Sequence, residues 1–406
     1  MAFASGVSKQ VIIDREASWG VKPATSSVTA KYLPRVSLDL NLSREQFRSE
    51  RINSHSQVAE ARSGTDSVEA TLSDEVAAGS HTDIWAALLR GPWVAGVTKA
   101  AATTISAASA DNSINDSANG FLTAGFKVGD VVNVTGFTAP ATANNGRASI
   151  LSVTAGKIVL NKTLITKAAG DNVAIAVPGN KLVIPTAVED RTDDSFTIEQ
   201  YFADVGVSRV ASGCKFGSAS ISMSPDSMAT VEFGVMGKDM VSTGVQYFTA
   251  PAAQSASSVM ASNRASLIID GQPEVLVTSL SLEINGGLEA GKTIGNLLPD
   301  NTRPAAAIFQ GVIEVSGELT AYFEDDAMFT KFRDDIDTTL SIRLIGDNGK
   351  EIVIKLPRVR LGSASPDDTP TGGLSQTISF QALYNEAATA TTATEASCVV
   401  IQELLA

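Results

Sequence analysis

Several stretches of this chain alternate between apolar and polar residues with a period of two. FGSASISMSPDSMATVEFGVM (216–236) alternates on both sides of a Pro-Asp-Ser turn, and QTISFQAL (376–383) alternates in the same way. GDNG (346–349) separates two further apolar runs, SIRLI and EIVIKL. Period-two spacing on both sides of a turn predicts half-buried antiparallel hairpins. The pattern therefore indicates a mainly β chain.

The same order of patterns occurs twice along the chain. The corresponding pairs are SLDLNL (37–42) with SLEING (281–286), VEATLSDEV (68–76) with VSGELTAYF (315–323), IWAALLR (84–90) with MFTKFRD (328–334), SFTIEQ (195–200) with TLSIRL (339–344), and ATVEFGVM (229–236) with QTISFQAL (376–383). The first three pairs are 244 or 247 positions apart and the last two are 144 or 147 apart. The first copy therefore contains roughly 100 residues that the second lacks, beginning near Gly96. A duplicated β-module is typical of an assembly unit rather than of an enzyme.

Each copy also contains one short helical segment. Apolar residues lie four positions apart in both, Ile84 with Leu88 and Met328 with Phe332, so each helix is expected to bury one stripe on its sheet. We expect the helix N-termini to be capped or favoured by neighbouring polar residues, namely Thr82 and Asp83 in the first copy and Asp325 and Asp326 in the second.

These patterns predict two tandem β-sandwich or half-barrel modules, each with a short flanking helix, plus a small inserted all-β domain. The expected boundaries are 1–95 and 180–248 for module 1, 96–179 for the insert, 249–265 for a linker and 266–406 for module 2. Because both ends of the insert meet the parent module close together, we expect the insert to project outward and to be removable. The segments 1–33 and 44–62 and the linker are expected to order only when subunits stack.

Composition narrows the classes of function. The 406 residues carry a formal net charge of −13, with a pI of about 4.7. This excess of acidic residues argues against nucleic-acid binding, which needs Lys and Arg to replace phosphate counterions. Cys214 and Cys398 are far apart and predict ordinary reduced thiols. No stretch is typical of a signal peptide or a transmembrane span, so we expect a soluble chain without membrane contact.

Candidates for catalytic chemistry are few. The two histidines, His55 and His81, have no metal-ligand spacing and are expected to be surface polar residues. No serine lies in a nucleophile-elbow pattern. We therefore assign no catalytic, cofactor-binding or metal-binding residue and expect no cofactor.

One motif favours nucleotide binding at first sight. Residues 286–293 read GGLEAGKT and fit the phosphate-loop pattern, with Lys292 and Thr293 in the key places. A phosphate loop must lead into a helix whose N-terminus faces the phosphates. The residues that follow disfavour a helix: Asn296, Pro299, Asp300 and Pro304. We interpret the motif as a Gly-rich strand-to-loop turn, because the corresponding NLSREQF of the first copy also lacks it.

Most of the chain outside the insert resembles bacteriophage tail tube proteins of the long-tailed, non-contractile kind. The resemblance is carried by VEATLSDEVAAGSHTDIWAALLRGPW (68–93), SFTIEQYF (195–202), FGSASISMSPDSMATVEFGVMGKDM (216–240), FQGVIEVSGELTAYFEDDAMFTKF (309–332), LPRVRLG (356–362) and SFQALYNE (379–386). In that family, sheets join between subunits into a ring, and stacked rings form the conduit for DNA ejection. The resemblance implies a structural protein of the virion tail, made in the host bacterial cytoplasm, and no enzyme.

We expect the partners of such a protein to be mainly copies of itself. Two modules per chain predict trimeric rings that stack into a tube. Other expected partners are the tape measure, tail tip and terminator proteins, with genomic DNA passing through the lumen without specific binding. We expect the lumen wall to be acidic or neutral. The alternatives are another virion structural or decoration protein and a nucleotide-binding enzyme that uses residues 286–293.

Overall fold

The computed structural model describes residues 3, 5–52, 57–58, 60–253, 258–274, 276–295, 302–363, 365–366 and 373–405. The prediction of a mainly β chain is confirmed. The described α-helices are α1 (Thr82–Leu89), α2 (Phe121–Ala124) and α3 (Ala327–Arg333). We call the residues up to 248, apart from 96–179, the first half. Residues 96–179 are the insert, and residues from 265 onward are the second half.

Strands occur in all three parts of the chain. The first half begins with β1 (Lys9–Arg15), β2 (Lys31–Tyr32), β3 (Ser37–Arg48), β4 (Ala61–Glu75) and β5 (Trp93–Ala95). The insert contains β6 (Thr98–Ala102), β7 (Ile105–Ala108), β8 (Ser113–Asp116), β9 (Val131–Thr135), β10 (Gly146–Val153), β11 (Lys157–Leu160) and β12 (Val173–Ala176). The first half continues with β13 (Asn180–Val183), β14 (Phe196–Phe202), β15 (Val207–Met223), β16 (Thr230–Gly237) and β17 (Asp239–Thr243). The second half contains β18 (Ala265–Ile269), β19 (Gln272–Glu274), β20 (Val277–Asn285), β21 (Leu288–Gly291), β22 (Ala307–Gln310), β23 (Glu314–Tyr322), β24 (Thr338–Ile345), β25 (Glu351–Leu361), β26 (Ser365–Pro366), β27 (Ser375–Ala382) and β28 (Val400–Leu404).

The two halves have the same order of paired strands. In the first half, β3-β4-β16-β15 form one sheet and β2-β1-β14-β15-β17 form the other. In the second half, the corresponding orders are β20-β23-β27-β25 and β19-β18-β24-β25-β28. The long strands β15 and β25 each take part in both sheets. In every case the pairing is antiparallel.

The strand pairing corrects one part of the sequence alignment. Thr71 of β4 pairs with Gly234, and Ser316 of β23 pairs with Gln381. Since Gly234 and Gln381 correspond, Thr71 and Ser316 correspond as well, and they are 245 positions apart. The alignment of 68–76 with 315–323 is thus wrong by two residues. Shifting the alignment by two residues leaves the period-two pattern unchanged, so the pattern alone does not reveal the error.

The apolar faces of these sheets share one core. Alternate residues of β4, β16, β20 and β27 point into it and are buried: Leu72, Phe233, Leu282 and Phe380. The ring of Trp85 from α1 lies 4.9 Å from the ring of Phe233 in an edge-to-face arrangement. Alternation of apolar and polar residues therefore places one face of each strand in the core, as the sequence pattern predicted.

The N-terminal segment is more ordered than the sequence suggested. Residues 1–33 were expected to order only on stacking, but β1 pairs with β14 along seven residues, from Lys9–Phe202 to Arg15–Phe196. Val11 and Ile13 are buried in the core. A third apolar residue, Ile12, packs with Phe248 on the other side of the strand. The expectation was wrong for β1 because these apolar residues fill both sides of a completed sheet.

The insert has a sheet and a core of its own. Its seven strands are ordered β6-β12-β9-β10-β11-β8-β7. Seventeen buried apolar residues form its core, among them Phe121, Phe126 and Ile150. The rings of Phe121 and Phe126 meet edge to face at 6.1 Å. The insert is thus able to bury a substantial apolar core within its own sequence.

The insert also packs against the second half through buried charges. Asp130, fully buried, accepts a hydrogen bond from Lys181 at 2.8 Å and another from Lys355 of β25. Lys181 also reaches Glu395 at 3.0 Å. Burial alone would raise the pKa of Asp130, but the ammonium groups of Lys355 and Lys181 outweigh it and lower this pKa. We call Asp130, Lys181, Lys355 and Glu395 the buried charge cluster.

Neutral contacts beside the buried charge cluster also join the insert to the second half. The amide of Gln402 in β28 accepts a bond from the backbone N–H of Val131 and donates to its carbonyl, both at 3.1 Å. Val131 also forms a small apolar cluster with Val353 and Leu404. These contacts join the insert to a sheet of the second half, although in sequence the insert interrupts the first half.

Candidate functional site: an acidic sheet face between two open edges

Eight strands from both halves form one continuous layer, which we call the eight-stranded layer. Its order is β3-β4-β16-β15-β20-β23-β27-β25. The halves meet where β15 pairs with β20, from Ser218–Asn285 to Met223–Leu280. This joint is a regular antiparallel ladder. The layer therefore continues from one half to the other without interruption.

The pairing registers align side chains in rows across this layer. One apolar row on the core side is Leu38, Leu72, Phe233, Ala219, Ile284, Val315, Ala382 and Val359. The adjacent row on the opposite side is Ser37, Ser73, Glu232, Ser220, Glu283, Ser316, Gln381 and Arg360. Directly paired residues point to the same side of a sheet. One side of the layer is thus apolar and buried, and the other is polar.

The polar side of the eight-stranded layer carries an excess of negative charge, and we call it the acidic face. Its carboxylates are Asp39, Glu69, Glu75, Glu232, Glu283, Glu314 and Glu318. All are exposed except Glu75, which is half-buried. Within the described part of the chain, none of the seven forms an ion pair within 4 Å. The remaining residues of this face are mainly Ser, Thr, Asn and Gln.

Three basic residues near the acidic face are engaged in ion pairs with aspartates. At one end of the layer, Arg358 and Arg360 both contact Asp337, at 2.7 and 2.9 Å. Lys215, at the end of the β15–β16 pairing, is buried and bonded to Asp193 at 2.5 Å. The acidic face therefore presents uncompensated carboxylates to solvent. A polyanion such as DNA would be repelled by such a surface.

The sequence indicated the outward direction of these acids but not their arrangement. The alternation already places Glu232 opposite to Val231 and Phe233. Within a single strand, alternation indicates toward which face of the sheet each side chain points. It does not say which strands are neighbours or which residues pair. The rows required the register of all eight strands.

Both ends of the eight-stranded layer have an open edge. At one end, β3 pairs with β4 on one side. At the other end, the last two residues of β25, Arg360 and Leu361, and both residues of β26 pair with β27 on one side. Among the described residues, no strand pairs with the second side of either segment. Exposed edges of this kind are templates for pairing with another chain.

The phosphate-loop motif has strand geometry. Gly287 has a φ of +58°, which lies in the left-handed region that suits glycine. Leu288 to Gly291 form β21, which pairs with β22. Lys292 is exposed and lies 3.9 Å from a carboxylate oxygen of Glu45. No helix begins in 292–295, the last described residues before the gap, while Asn296, Pro299 and Asp300 lie outside the described residues.

The histidine expected on the surface is buried. His81 precedes α1, and its ring centroid lies 5.3 Å from that of Phe233. Its Nε2 lies 3.2 Å from Oδ2 of Asp74. Packing against Phe233 explains why the expectation of a surface position was wrong. His55 lies outside the described residues, and the described residues contain no group of three or more His, Cys, Asp or Glu that could hold a metal ion.

The described cysteines are free thiols. Cys214 is buried in the core and Cys398 is half-buried. Burial raises the pKa of both thiols, most strongly that of Cys214. A thiol with a raised pKa is a poor nucleophile. None of the described helices has the length and apolar character needed to cross a membrane.

The comparisons with known proteins agree with this architecture. A sequence model of the family described as "Phage tail tube protein" matches residues 6–382. None of the curated proteins matches the chain. The family match covers nearly all of the first half, the whole insert and the second half as far as residue 382, so it does not depend on one segment. The chain therefore belongs to the phage tail tube protein family and is a structural component of a phage tail.

Proposed function

We propose that three copies of this chain close into a ring and that stacked rings form the conduit through which phage DNA is ejected. The observation that carries this proposal is the eight-stranded layer, which joins two similar halves at β15–β20 and keeps an open edge at each end. A repeated joint of the same kind would connect one chain to the next. Three chains then supply six repeats, so a ring with threefold symmetry has pseudo-sixfold character.

The joint inside the chain supports one register for the proposed joint between chains. Ser220 pairs with Glu283 within the chain. The backbone N–H of Gly362 donates to Ser379, whose counterpart in the first half is Glu232. Since Glu232 pairs with Ser220, Gly362 corresponds to Ser220. Asp39 corresponds to Glu283 in the repeat. We therefore place Gly362 of one subunit opposite Asp39 of the next, with backbone bonds extending the sheet.

The acidic face is proposed to line the lumen. Its seven carboxylates repel phosphate, and the nearby Lys215, Arg358 and Arg360 are held by Asp193 and Asp337. A wall cation that neutralised a phosphate would release counterions and stabilise a stalled duplex. An acidic wall avoids this adhesion, so DNA can slide past without specific binding. The surrounding Ser, Thr, Asn and Gln keep the wall hydrated.

We propose the division of the chain that the repeat suggested. Module 1 comprises 1–95 and 180–248, the insert 96–179, the linker 249–265 and module 2 266–406. The strand orders of the two halves and the separate core of the insert support these boundaries. Because the insert packs against β24, β25 and β28 rather than the acidic face, it would lie on the outside of the tube.

A tail tube protein is expected to have further partners among the other tail proteins. We propose that the tube contacts the tape measure, tail tip and terminator proteins, and that the chain is made in the host cytoplasm before it assembles into the virion. We propose no catalytic role. The geometry of Lys292 and the burial of His81 support that interpretation.

Negative-stain electron microscopy of the purified chain, with mass measurement of the particles, tests the ring. We expect rings of three chains with six similar lobes, and stacks of such rings at high concentration. A ring of six chains would contradict the proposed stoichiometry. A chain that stays monomeric at every concentration, also when seeded with tail tips, would contradict the proposal itself.

A further inference from the structure

The helices α1 and α3 occupy corresponding positions in the two halves but differ in burial. The backbone N–H of Gly91 donates to Ala86 after α1, and that of Ile336 donates to Lys331 after α3. Both corresponding pairs are 245 positions apart, as are Thr71 and Ser316 in the preceding strands. No residue is therefore inserted between the strand and the end of the helix. The two helices therefore correspond at a spacing of 245 positions, and the sequence alignment of 84–90 with 328–334, at 244 positions, is wrong by one residue.

Small or buried residues of the first half correspond to large exposed ones in the second. Ala78, Ile84, Ala87 and Gly91 are all buried. Their counterparts Phe323, Phe329, Phe332 and Ile336 are 37%, 42%, 36% and 47% exposed. The rings of Phe329 and Phe332 lie 6.5 Å apart. We call these four exposed residues the α3 face.

The first helix is buried because the second half and β13 cover it. Glu403 of β28 accepts hydrogen bonds from the N–H of Gly79 and, at 2.8 Å, from the hydroxyl of Thr82. At the other end of α1, Arg90 donates to the carbonyls of Gly286 and Gly311 at 2.6 and 2.7 Å. The hydroxyl of Thr82 was expected to cap the helix. Instead it donates to Glu403 in β28 of the second half.

A strand next to the insert completes the cover over α1. A Cβ atom on Gly91 would lie 2.6 Å from the carbonyl oxygen of Val183 in β13, so only glycine permits this approach. The segment between α3 and β24 has four residues, Asp334 to Asp337, and contains no such strand. Among the described residues, the α3 face thus has no counterpart of the strand that covers Gly91 in the first half.

We propose that the α3 face is the contact surface for a second copy of this chain, against β17 and the outer edge of β3 in that copy. The proposal rests on the proposed ring, in which the second half of one subunit meets the first half of the next. The contact surface is additional to the backbone pairing of the sheet edges.

The choice of occupant follows from the repeat. β28, the strand that covers α1, pairs with the first part of β25. In the first half, β17 pairs with the first part of β15 in the same way. β17 is therefore the counterpart of β28 in the neighbouring copy. It is half-exposed in the single chain, and among the described residues only β15 pairs with it. Clustered exposed aromatic residues are typical of the centre of a protein interface.

Photo-crosslinking of the assembled protein tests the position of the contact. Phe329→p-benzoylphenylalanine is mixed with isotope-labelled wild-type chain, assembled, irradiated and analysed by mass spectrometry. We expect crosslinks between two copies that map to residues 239–243 or to β3. Crosslinks that map to the second half of another copy, or remain within one chain, would overturn the proposal. The same reagent at Ile165, which is 41% exposed on the insert, is the control and should give no such crosslink.

Substitution tests the strength of the contact. We expect Phe329→Gln with Phe332→Gln to weaken ring formation by roughly 30-fold or more, because central aromatic residues contribute strongly to interfaces. Sedimentation velocity over a dilution series measures this, and an unchanged melting temperature shows that the variant folds. Ile165→Gln should assemble as the wild type does.

The outcomes separate this contact from the ring. If the double variant and the wild type form rings equally well, the α3 face is not the contact surface, while the ring proposal stands. If the wild type forms no ring at any concentration, the ring proposal fails and this contact fails with it. Loss of rings in the folded double variant alone supports the contact.

Discussion

Charged residues have opposite surroundings in two regions of this molecule. In the buried charge cluster, Asp130 lies between Lys181 and Lys355, and Asp130 together with Glu395 balances the two ammonium charges. On the acidic face, carboxylates such as Glu232 and Glu283 are exposed without a described ion-pair partner. Buried charges must be paired to be tolerated, whereas exposed charges remain hydrated and need no partner.

This difference separates a structural role from a functional one. Removing one partner from the buried charge cluster leaves an uncompensated charge in the interior, so the effect falls on stability. Changing the sign of a charge on the acidic face should leave folding almost unaffected. Under the proposed function, its effect falls on how strongly DNA adheres to this surface. The two regions can therefore be tested with the same kinds of substitution and different measurements.

Deletion of the insert should have the largest effect. Replacing 96–178 by a short Gly/Ser linker removes Asp130 and leaves Lys181 and Lys355 without it, and the sheet of β28 loses its cover. We therefore expect the deleted chain not to fold cooperatively, contrary to the expectation from sequence that the insert is removable. Circular dichroism during thermal and urea unfolding measures this.

A matched variant identifies the cause of that loss. The same deletion combined with Lys181→Met and Lys355→Met removes the unpaired charges, and it should recover a cooperative transition. A deleted chain that is as stable as the full chain, with both lysines present, would show that the buried charge cluster does not anchor the insert.

Asp130→Asn should be the most damaging single substitution among the acids discussed. Loss of one member of a buried pair typically costs about 3–5 kcal/mol, because the partner charge stays buried. Glu395 remains near Lys181 and reduces the cost, so we expect a loss of about 3 kcal/mol in the free energy of unfolding. Asp111→Asn, at an exposed contact with Lys157, is the control and should change stability little. Equal effects of the two variants would contradict the assignment.

Acid should weaken the same cluster. The pKa of Asp130 is lower in the folded chain than in the unfolded chain, because Lys355 and Lys181 outweigh the effect of burial. Its contribution to stability is therefore complete above the unfolded pKa of about 4 and is lost as the pH falls through the folded pKa. Urea unfolding between pH 7 and pH 3 should show a smaller loss in Asp130→Asn than in the wild type. Identical pH profiles would mean that Asp130 does not titrate in this way.

Charge reversal on the acidic face should change DNA handling with little loss of stability. In assembled tubes, Glu232→Lys with Glu283→Lys should retain duplex DNA in a form protected from nuclease, and retention should fall steeply as salt rises. Glu189→Lys with Asp190→Lys is the control, since it makes the same change in net charge at an exposed loop outside the acidic face. Equal protection by both variants would show that this face does not line the lumen.

Lys292→Ala should have the smallest effect. Its ammonium group is exposed and has one distant partner, Glu45, so we expect a change within about 0.5 kcal/mol in stability. ATP should not shift the melting temperature of either protein. A shift in the wild type that disappears in Lys292→Ala would restore the nucleotide-binding hypothesis.

The sequence determined much of this protein. Period-two alternation identified the hairpins, the order of patterns identified two similar segments and an intervening block, and the net charge of −13 disfavoured a nucleic-acid grip. These features are local or compositional, so they can be recognised without knowing which strands are neighbours. The resemblance to tail tube proteins rested on the same patterns, and the family match agrees with it.

Only the tertiary structure decided how distant segments meet. The two-residue correction between β4 and β23, the rows of the acidic face and the burial of His81 depend on pairing and packing between elements far apart in sequence. The same holds for Asp130, which in sequence is one acid among many. Its role exists because folding brings Lys181 and Lys355 to it, and the free energy of a charge depends on its surroundings, which the sequence does not contain.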